Sequence, residues 1–272
     1  MRGLYNLGNT CYFNTAVQCL AHVPPLTKHL FSTDLGACSC PITVEYQKVV
    51  RQLFLKDRTD PVSPSDLIGA FRVRFPDFAN ASQHDAQEVI LHLIDVFEAS
   101  LGKDLVQEIF NGEDAQETVY PSGMSTVKTP FTTLILDVSE PCRLADLLSD
   151  REEHTGIEGY TDNTGKTHNV AAVRNRVVRW PRVISFTFAM YDYKFPIEIP
   201  KEFENKKLFA CVLHQGRRQG GHYALLVKRF DKWYIKDDEQ VQEVPEFETF
   251  KGEFYQRSEE HTSELQSRLH LV

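Results

Sequence analysis

The chain is predicted to be an α+β protein with its helices first and its strands after. Two observations carry that prediction. Apolar residues recur at helical spacing through roughly the first hundred positions, whereas short runs of β-branched and aromatic residues dominate after about Phe110. Such segregation makes two packed halves with a cleft where they meet. From Thr10, suited to an N-cap, the stretch Cys11 to Ala21 puts Phe13, Ala16, Val17 and Leu20 on one side, and Pro24-Pro25 ends it. A second helix is predicted over Thr43 to Leu55, with Val44, Val49 and Leu53 among its apolar positions, and a third over Pro64 to Phe75. The strongest signal lies between Ser82 and Ser100. There Ser82 followed by Asp85 fits a capping box, and Val89, Ile90, Leu93, Ile94 and Phe97 form a core-facing stripe. Strands are predicted at Thr132 to Val138, Val183 to Phe188, Leu208 to His214, His222 to Arg229 and Trp233 to Lys236. The stretches 111–128 and 152–176 are polar, rich in glycine and weakly periodic.

At 272 residues and 42% hydrophobic content the chain has material for one large domain or two small ones. Its longest apolar runs are far too short to span a bilayer, and Met1-Arg2-Gly3-Leu4 opens without an apolar signal segment, so cytosol or nucleus is expected. Cysteines 11, 19, 38, 40, 142 and 211 have no disulfide-like rhythm and are expected to stay thiols in that compartment. Cys38 and Cys40 form one Cys-x-Cys without a second pair, which does not close a four-coordinate zinc site. A net charge of −8 argues against a nucleic-acid binder, which needs a basic footprint. Residues Arg257 to Ser267 read like a translated sequencing adapter, so 257–272 is set aside as a non-native tail.

Cys11 follows a turn-forming run and opens the first helix, where exposed backbone N–H groups favour a thiolate. His222 follows Gly220-Gly221 and precedes Tyr223, and a hairpin through Phe230-Asp231-Lys232 returns Asp237-Asp238 towards it. A thiol, an imidazole and a carboxylate are what nucleophilic hydrolysis needs, together with donors for the oxyanion. Asn6 and Asn9 also suit turn geometry, and Asp237-Asp238 suits a solvated acidic turn.

The segment from Gly3 to Asn14, Gly-Leu-Tyr-Asn-Leu-Gly-Asn-Thr-Cys-Tyr-Phe-Asn, and Gly-Gly-His-Tyr-Ala from Gly220 to Ala224, resemble the cysteine and histidine boxes of the ubiquitin-specific proteases, the papain-like deubiquitinating enzymes. The resemblance spans about residues 3 to 256. It implies a catalytic domain over 1–256, with a helical thumb at about 1–108 and a β-rich palm with shortened fingers at about 109–256. It implies Cys11 as nucleophile, His222 as base, Asp237 as the group orienting the imidazole, Asp238 sharing that role or supporting the oxyanion, and Asn6 as an oxyanion donor. Gln83-His84-Asp85-Ala86-Gln87-Glu88 resembles the family's Gln-rich box, so Gln83 and Asp85 are substrate-binding candidates, Asp85 equally explained as a helix cap. Gly220, Gly221 and Tyr223 are implied to line a channel for the Gly-Gly end of ubiquitin, with plain strand core as the alternative for Tyr223. Family members commonly bind zinc through two Cys-x-x-Cys pairs in the fingers. The matching surroundings here, at Tyr120-Pro121-Ser122 and Tyr160-Thr161-Asp162-Asn163, hold no cysteine, so no metal and no cofactor is expected. The implied function is a monomeric thiol-dependent ubiquitin hydrolase whose acidic balance suits the arginine-bearing tail of ubiquitin, with neither a nucleic acid nor a membrane as partner. A protease for a ubiquitin-like modifier and an inactive ubiquitin-binding module are the alternatives.

Overall fold

The computed structural model describes residues 1–190, 195–217, 220–244 and 270–271. Its helices are α1 (Cys11–Ala21), α2 (Pro24–Ser32), α3 (Pro41–Leu53), α4 (Ser65–Arg74), α5 (Ala86–Leu101), α6 (Lys103–Phe110) and α7 (Leu144–Glu152). The strands that build its two main sheets are β1 (Gly112–Tyr120), β2 (Gly123–Phe131), β3 (Leu134–Asp137), β4 (Thr155–Ile157), β5 (Ala171–Arg179), β6 (Phe186–Ala189), β7 (Ala210–Arg217), β8 (Gly220–Arg229), β9 (Lys232–Asp237), β10 (Gln240–Val244) and β11 (His270–Leu271). Among the described residues no helix is long and apolar enough to cross a membrane.

All eleven residues of α1 are buried, because the helix runs between α5 on one side and the β7–β8 hairpin on the other. Pro24-Pro25 ends α1 as predicted and also opens α2, since the first turn of a helix needs no N–H from proline. The boundary of α5 differs from the prediction: it starts at Ala86, and Asp85 rather than Ser82 is the N-cap, accepting from Gln87 N at 2.9 Å. Ser82 to His84 are drawn out of the helix because Gln83 reaches across to β8, as described below.

The seven-stranded sheet runs β10-β9-β8-β7-β11-β6-β3, antiparallel except for β3 beside β6. Its two faces feed two cores by strand alternation. Ala210, Val212, Leu225 and Val227 pack with the helices, while Cys211, Leu213 and Leu226 join Phe186, Phe188, Leu144 and Trp233 on the opposite side. The β8–β9 turn holds Phe230-Asp231, with Arg229 paired to Lys232. The β9–β10 turn holds Asp238-Glu239, with Asp238 at φ +48°, a conformation aspartate tolerates better than most residues. Of segment 257–272 only His270–Leu271 is described, and it pairs with β7 and β6.

Segments 111–128 and 152–176, weakly periodic in sequence, supply much of the second sheet, ordered β2-β1-β5-β4. No alternation announced it, because β2 is exposed along most of its length. Charge pairing substitutes for an apolar face. Buried Glu117 on β1 accepts from Arg174 at 2.8 Å and Arg176 at 2.7 Å on β5, and Arg151 of α7 reaches Asp114 at 2.6 Å. At the tip, Tyr120 lies 5.3 Å from Tyr160 and 4.6 Å from His168, ring centre to ring centre. His168 Nε2 meets Asp162 Oδ2 at 2.8 Å, and the Tyr160 and Ser125 hydroxyls meet at 2.7 Å. These contacts tie together the two places where a zinc would need its cysteines. Incubation with a chelator is therefore expected to leave the melting temperature unchanged, whereas a structural zinc typically carries a large share of a small module's folding energy. A lowered melting temperature in EDTA would show that a metal, not this cluster, closes the tip.

Candidate active site

The N-terminal residues form a short strap between two elements that carry the chemistry. Leu4 N donates to Asp238 O at 2.8 Å, Tyr5 N to Val62 O at 3.0 Å, and Val62 N to Gly3 O at 2.9 Å. A Cβ on Gly3 would sit 2.3 Å from Asp238 O, so only glycine lets the strap lie against the β9–β10 turn. The strap delivers Asn6 beside Asp238 and then turns into α1. Thr10 stands at the predicted cap position, yet its hydroxyl accepts from Leu7 N at 2.9 Å and gives α1 no side-chain cap.

Cys11, His222 and Asp237 are brought together from α1, β8 and the end of β9. Cys11 is 2% exposed. His222 Nε2 bonds Asp237 Oδ1 at 2.5 Å, which leaves Nδ1 for the second hydrogen bond of the ring, to Cys11. The carboxylate of Asp237 first, and Cys11 second, hold the imidazole protonated up to about 10 against the opposing effect of burial. The folded chain thus binds a proton at His222 that the unfolded chain releases above its ordinary value of 6.5. The stabilisation is complete below that value and is lost as pH rises through about 10. The stability difference between the protein and His222→Ala is expected to shrink across this window. Denaturant titrations at several pH values read it, and a difference flat in pH contradicts the imidazolium.

Asp238 takes no part in that line. It is 7% exposed, accepting from Asn6 Nδ2 on Oδ2 at 2.6 Å and from Asn14 Nδ2 on Oδ1 at 2.7 Å, and burial raises its carboxyl above the usual range. Asn6 Oδ1 accepts from Gly8 N at 2.9 Å and Thr10 N at 3.2 Å, and Asn6 N donates to Glu239 at 2.8 Å, so the amide is fixed in orientation. Asn14 and Glu239 were not singled out in the sequence. The signal for Asn14 was its place three residues after Cys11, on the same side of α1. The donor atoms of His222, Asp237 and Asp238 lie within 4.8 Å of one another, but they are already engaged in these hydrogen bonds, which suits proton transfer better than metal binding.

The remaining candidates surround this centre. Gln83 Oε1 accepts from Gly221 N in a short hydrogen bond that ties the helical half to β8. Asp85 caps α5. Gly221 has an internal reason to be glycine, since a Cβ there would meet His214 Nε2 at 2.2 Å. Gly220 pairs with Arg217 at the start of β8. Tyr223 is 5% exposed, sits in the core shared with the helices and lies 4.4 Å from the His214 ring.

A thiol at the start of a buried helix, an imidazole on a facing strand and a carboxylate behind it are the constellation of a cysteine-dependent hydrolase. The family is settled by comparison: the sequence model described as ubiquitin carboxyl-terminal hydrolase matches residues 2–264, and the chain belongs to that family. Ubiquitin carboxyl-terminal hydrolase 23 of Arabidopsis thaliana is 27% identical over 93% of this chain and 34% of its own length. The 17-like protein B of Mus musculus in the same family is 25% identical over 88% of this chain and 59% of its own. The chain therefore spans about a third of one of these relatives and about three fifths of the other, less than two thirds of either. Among solved structures, the Ubp8/Sgf11/Sus1/Sgf73 module bound to ubiquitin aldehyde contains a chain similar in fold, with a TM-score of 0.80 at 20% identity over all of this chain and 69% of that one.

Proposed function

We propose that the chain is a thiol protease that hydrolyses the peptide or isopeptide bond after the C-terminal glycine of ubiquitin. The observation that carries this reading is the hydrogen-bonded line Cys11–His222–Asp237 in a chain of this family. The names of its relatives, ubiquitin carboxyl-terminal hydrolases, and the ubiquitin aldehyde bound to the Ubp8 module support ubiquitin as substrate. Cys11 Sγ, its proton held by His222, attacks the glycine carbonyl. The resulting oxyanion accepts from Cys11 N and Asn6 Nδ2, the latter aimed by Asp238. His222 then gives its proton to the departing amine, leaving a thioester on Cys11, and as a neutral base it draws a proton from the water that frees ubiquitin. Gln83, by holding Gly221, fixes the strand that presents His222, and Asp85, Gly220 and Gly221 flank the glycine end of the substrate, whereas Tyr223, buried in the core, supports the strand instead of lining the channel. The catalytic unit is 1–256, acting as a monomer in cytosol or nucleus, where the six cysteines stay reduced.

Ubiquitin bearing a thiol-reactive electrophile at its C-terminus tests the reading, run beside ubiquitin-like modifiers with the same group. An adduct at Cys11 with ubiquitin alone supports it. Adducts with another modifier alone move the chain to the modifier-protease alternative, and none with any of them, despite a folded chain, returns the inactive binding module.

A further inference from the structure

The residue preceding Asp237 is a lysine with no business in a protein interior unless something holds it there. Lys236 is 2% exposed. Its Nζ donates to Gln18 Oε1 at 2.8 Å and to Arg2 O at 3.2 Å, and the pairing is to neutral oxygens rather than to a carboxylate. The surroundings are basic side chains and an amine rather than acids. From β8 comes Arg229, stacked 4.8 Å from the Phe54 ring centre. From the end of α1 comes His22, whose Nδ1 meets Gln18 O at 2.7 Å and whose buried Nε2 finds no partner among the described residues. The Met1 amine completes the group. The charged groups that act on Lys236, His22 and the Met1 amine are these same cations, Arg229 and Lys236, and all act repulsively. Burial first and Arg229 second hold the Lys236 amine down to about 7. A leucine or methionine would fill the space without that cost, so the geometry has to account for the amine.

It does so through what the three consecutive residues 236–238 touch. Lys236 grips α1 two turns beyond Cys11 and the strap before Asn6, Asp237 grips His222, and Asp238 grips Asn6 and Asn14. We propose that Lys236 is a positioning residue for the reaction, a buried strut that fixes the strand end carrying Asp237 and Asp238 against the helix carrying Cys11. This rests on the hydrolase reading above, and it acts through its neighbours without touching substrate. An apolar side chain in its place keeps the packing but frees the strand end to shift along α1, and small misplacements of reacting groups are costly in rate.

The test compares Lys236→Met, Gln18→Leu and the double variant in the full chain. With ubiquitin carrying a fluorogenic amide at its C-terminal glycine, kcat of Lys236→Met is expected to fall about tenfold with KM within about twofold, the direction set by lost positioning. Gln18→Leu is expected to fall as well, and the double variant to be no worse than Lys236→Met, because both remove one strut. Two further readouts separate positioning from damage. Alkylation of Cys11 by iodoacetamide, followed on its own peptide, should slow in Lys236→Met, because the sulfur reacts fastest when His222 is positioned to take its proton. The stability of the wild type relative to Lys236→Met should rise between pH of about 7 and 10.5, the sign for an amine held low by folding. Unchanged kcat and unchanged Cys11 alkylation in Lys236→Met, or losses that add in the double variant, overturn the strut. A wild type that turns over no ubiquitin rejects the hydrolase reading instead, and Cys11 alkylation still decides the strut.

Discussion

Cys11→Ala is expected to abolish turnover while the chain stays folded and still binds ubiquitin. The substitution deletes a single sulfur at the first residue of α1, in a site only 2% exposed, so the packing around it changes little. Removing a nucleophile that acts as a unit with its base costs roughly 10⁴-fold to 10⁶-fold in kcat, because what is left is binding and oxyanion stabilisation with nothing to form the thioester. Loss of the sulfur also removes one of the two hydrogen bonds that keep His222 protonated, leaving Asp237 as the other. The structural cost is about 1 kcal/mol, which for a domain of this size moves Tm by about 2–4 °C. Single-turnover assays and calorimetric titration with ubiquitin separate the two effects. Turnover near the wild-type level in Cys11→Ala would remove the nucleophile from the mechanism, and loss of folding in that variant would point to Cys11→Ser as the cleaner replacement, since a serine hydroxyl fills the site without ionising.

How much of this was legible in the sequence depends on what stabilises each part. The helical half buries apolar stripes, and stripes are periodic, so α1, α3 and α4 were found close to their observed bounds, and α5 at its C-terminal end but not at its start. The β8–β9 hairpin was likewise found, since its turn and its β-branched runs carry the signal locally. The sheet of β1, β2, β4 and β5 was not, because Glu117 with its two arginines, and a tyrosine–histidine tip, hold it without alternation. Capping shows the same limit. By spacing Ser82 was the cap and Asp85 the acid inside the first turn, but Asp85 is itself the cap, and Gln83 between them is committed to Gly221, 138 residues away. Long-range hydrogen bonds of this kind leave no mark in local spacing. Lys236 is the extreme instance: its partners Gln18 and Arg2 lie more than 200 residues upstream, and in the sequence it is one more lysine at a strand end.

Replacing the two neighbouring aspartates one at a time is expected to give different failures. In Asp237→Asn the carboxylate that first raises His222 is gone, and the amide that replaces it stabilises an imidazolium poorly. The resting proton on His222 is then no longer held up to about 10, and kcat is expected to fall by about 10³-fold to 10⁴-fold, as when the orienting carboxylate of a serine triad is neutralised. KM should change little and the chain should stay folded, since Asp237 is partly exposed. Asp238→Asn acts elsewhere. Both Asp238 oxygens accept amide N–H groups, from Asn6 and Asn14, so an asparagine there must turn its own NH₂ towards one of them. A buried donor facing a donor costs about 1–3 kcal/mol of stability. The loss of aim at Asn6 is expected to cost about 10²-fold to 10³-fold in kcat, the size typical for one oxyanion donor. The pH profile tells them apart, because His222 keeps its Asp237 partner in Asp238→Asn and loses it in Asp237→Asn. An alkaline limb that moves down only in Asp237→Asn supports the division of labour. One that moves only in Asp238→Asn would exchange the two roles, with Asp238 orienting the imidazole once substrate is bound.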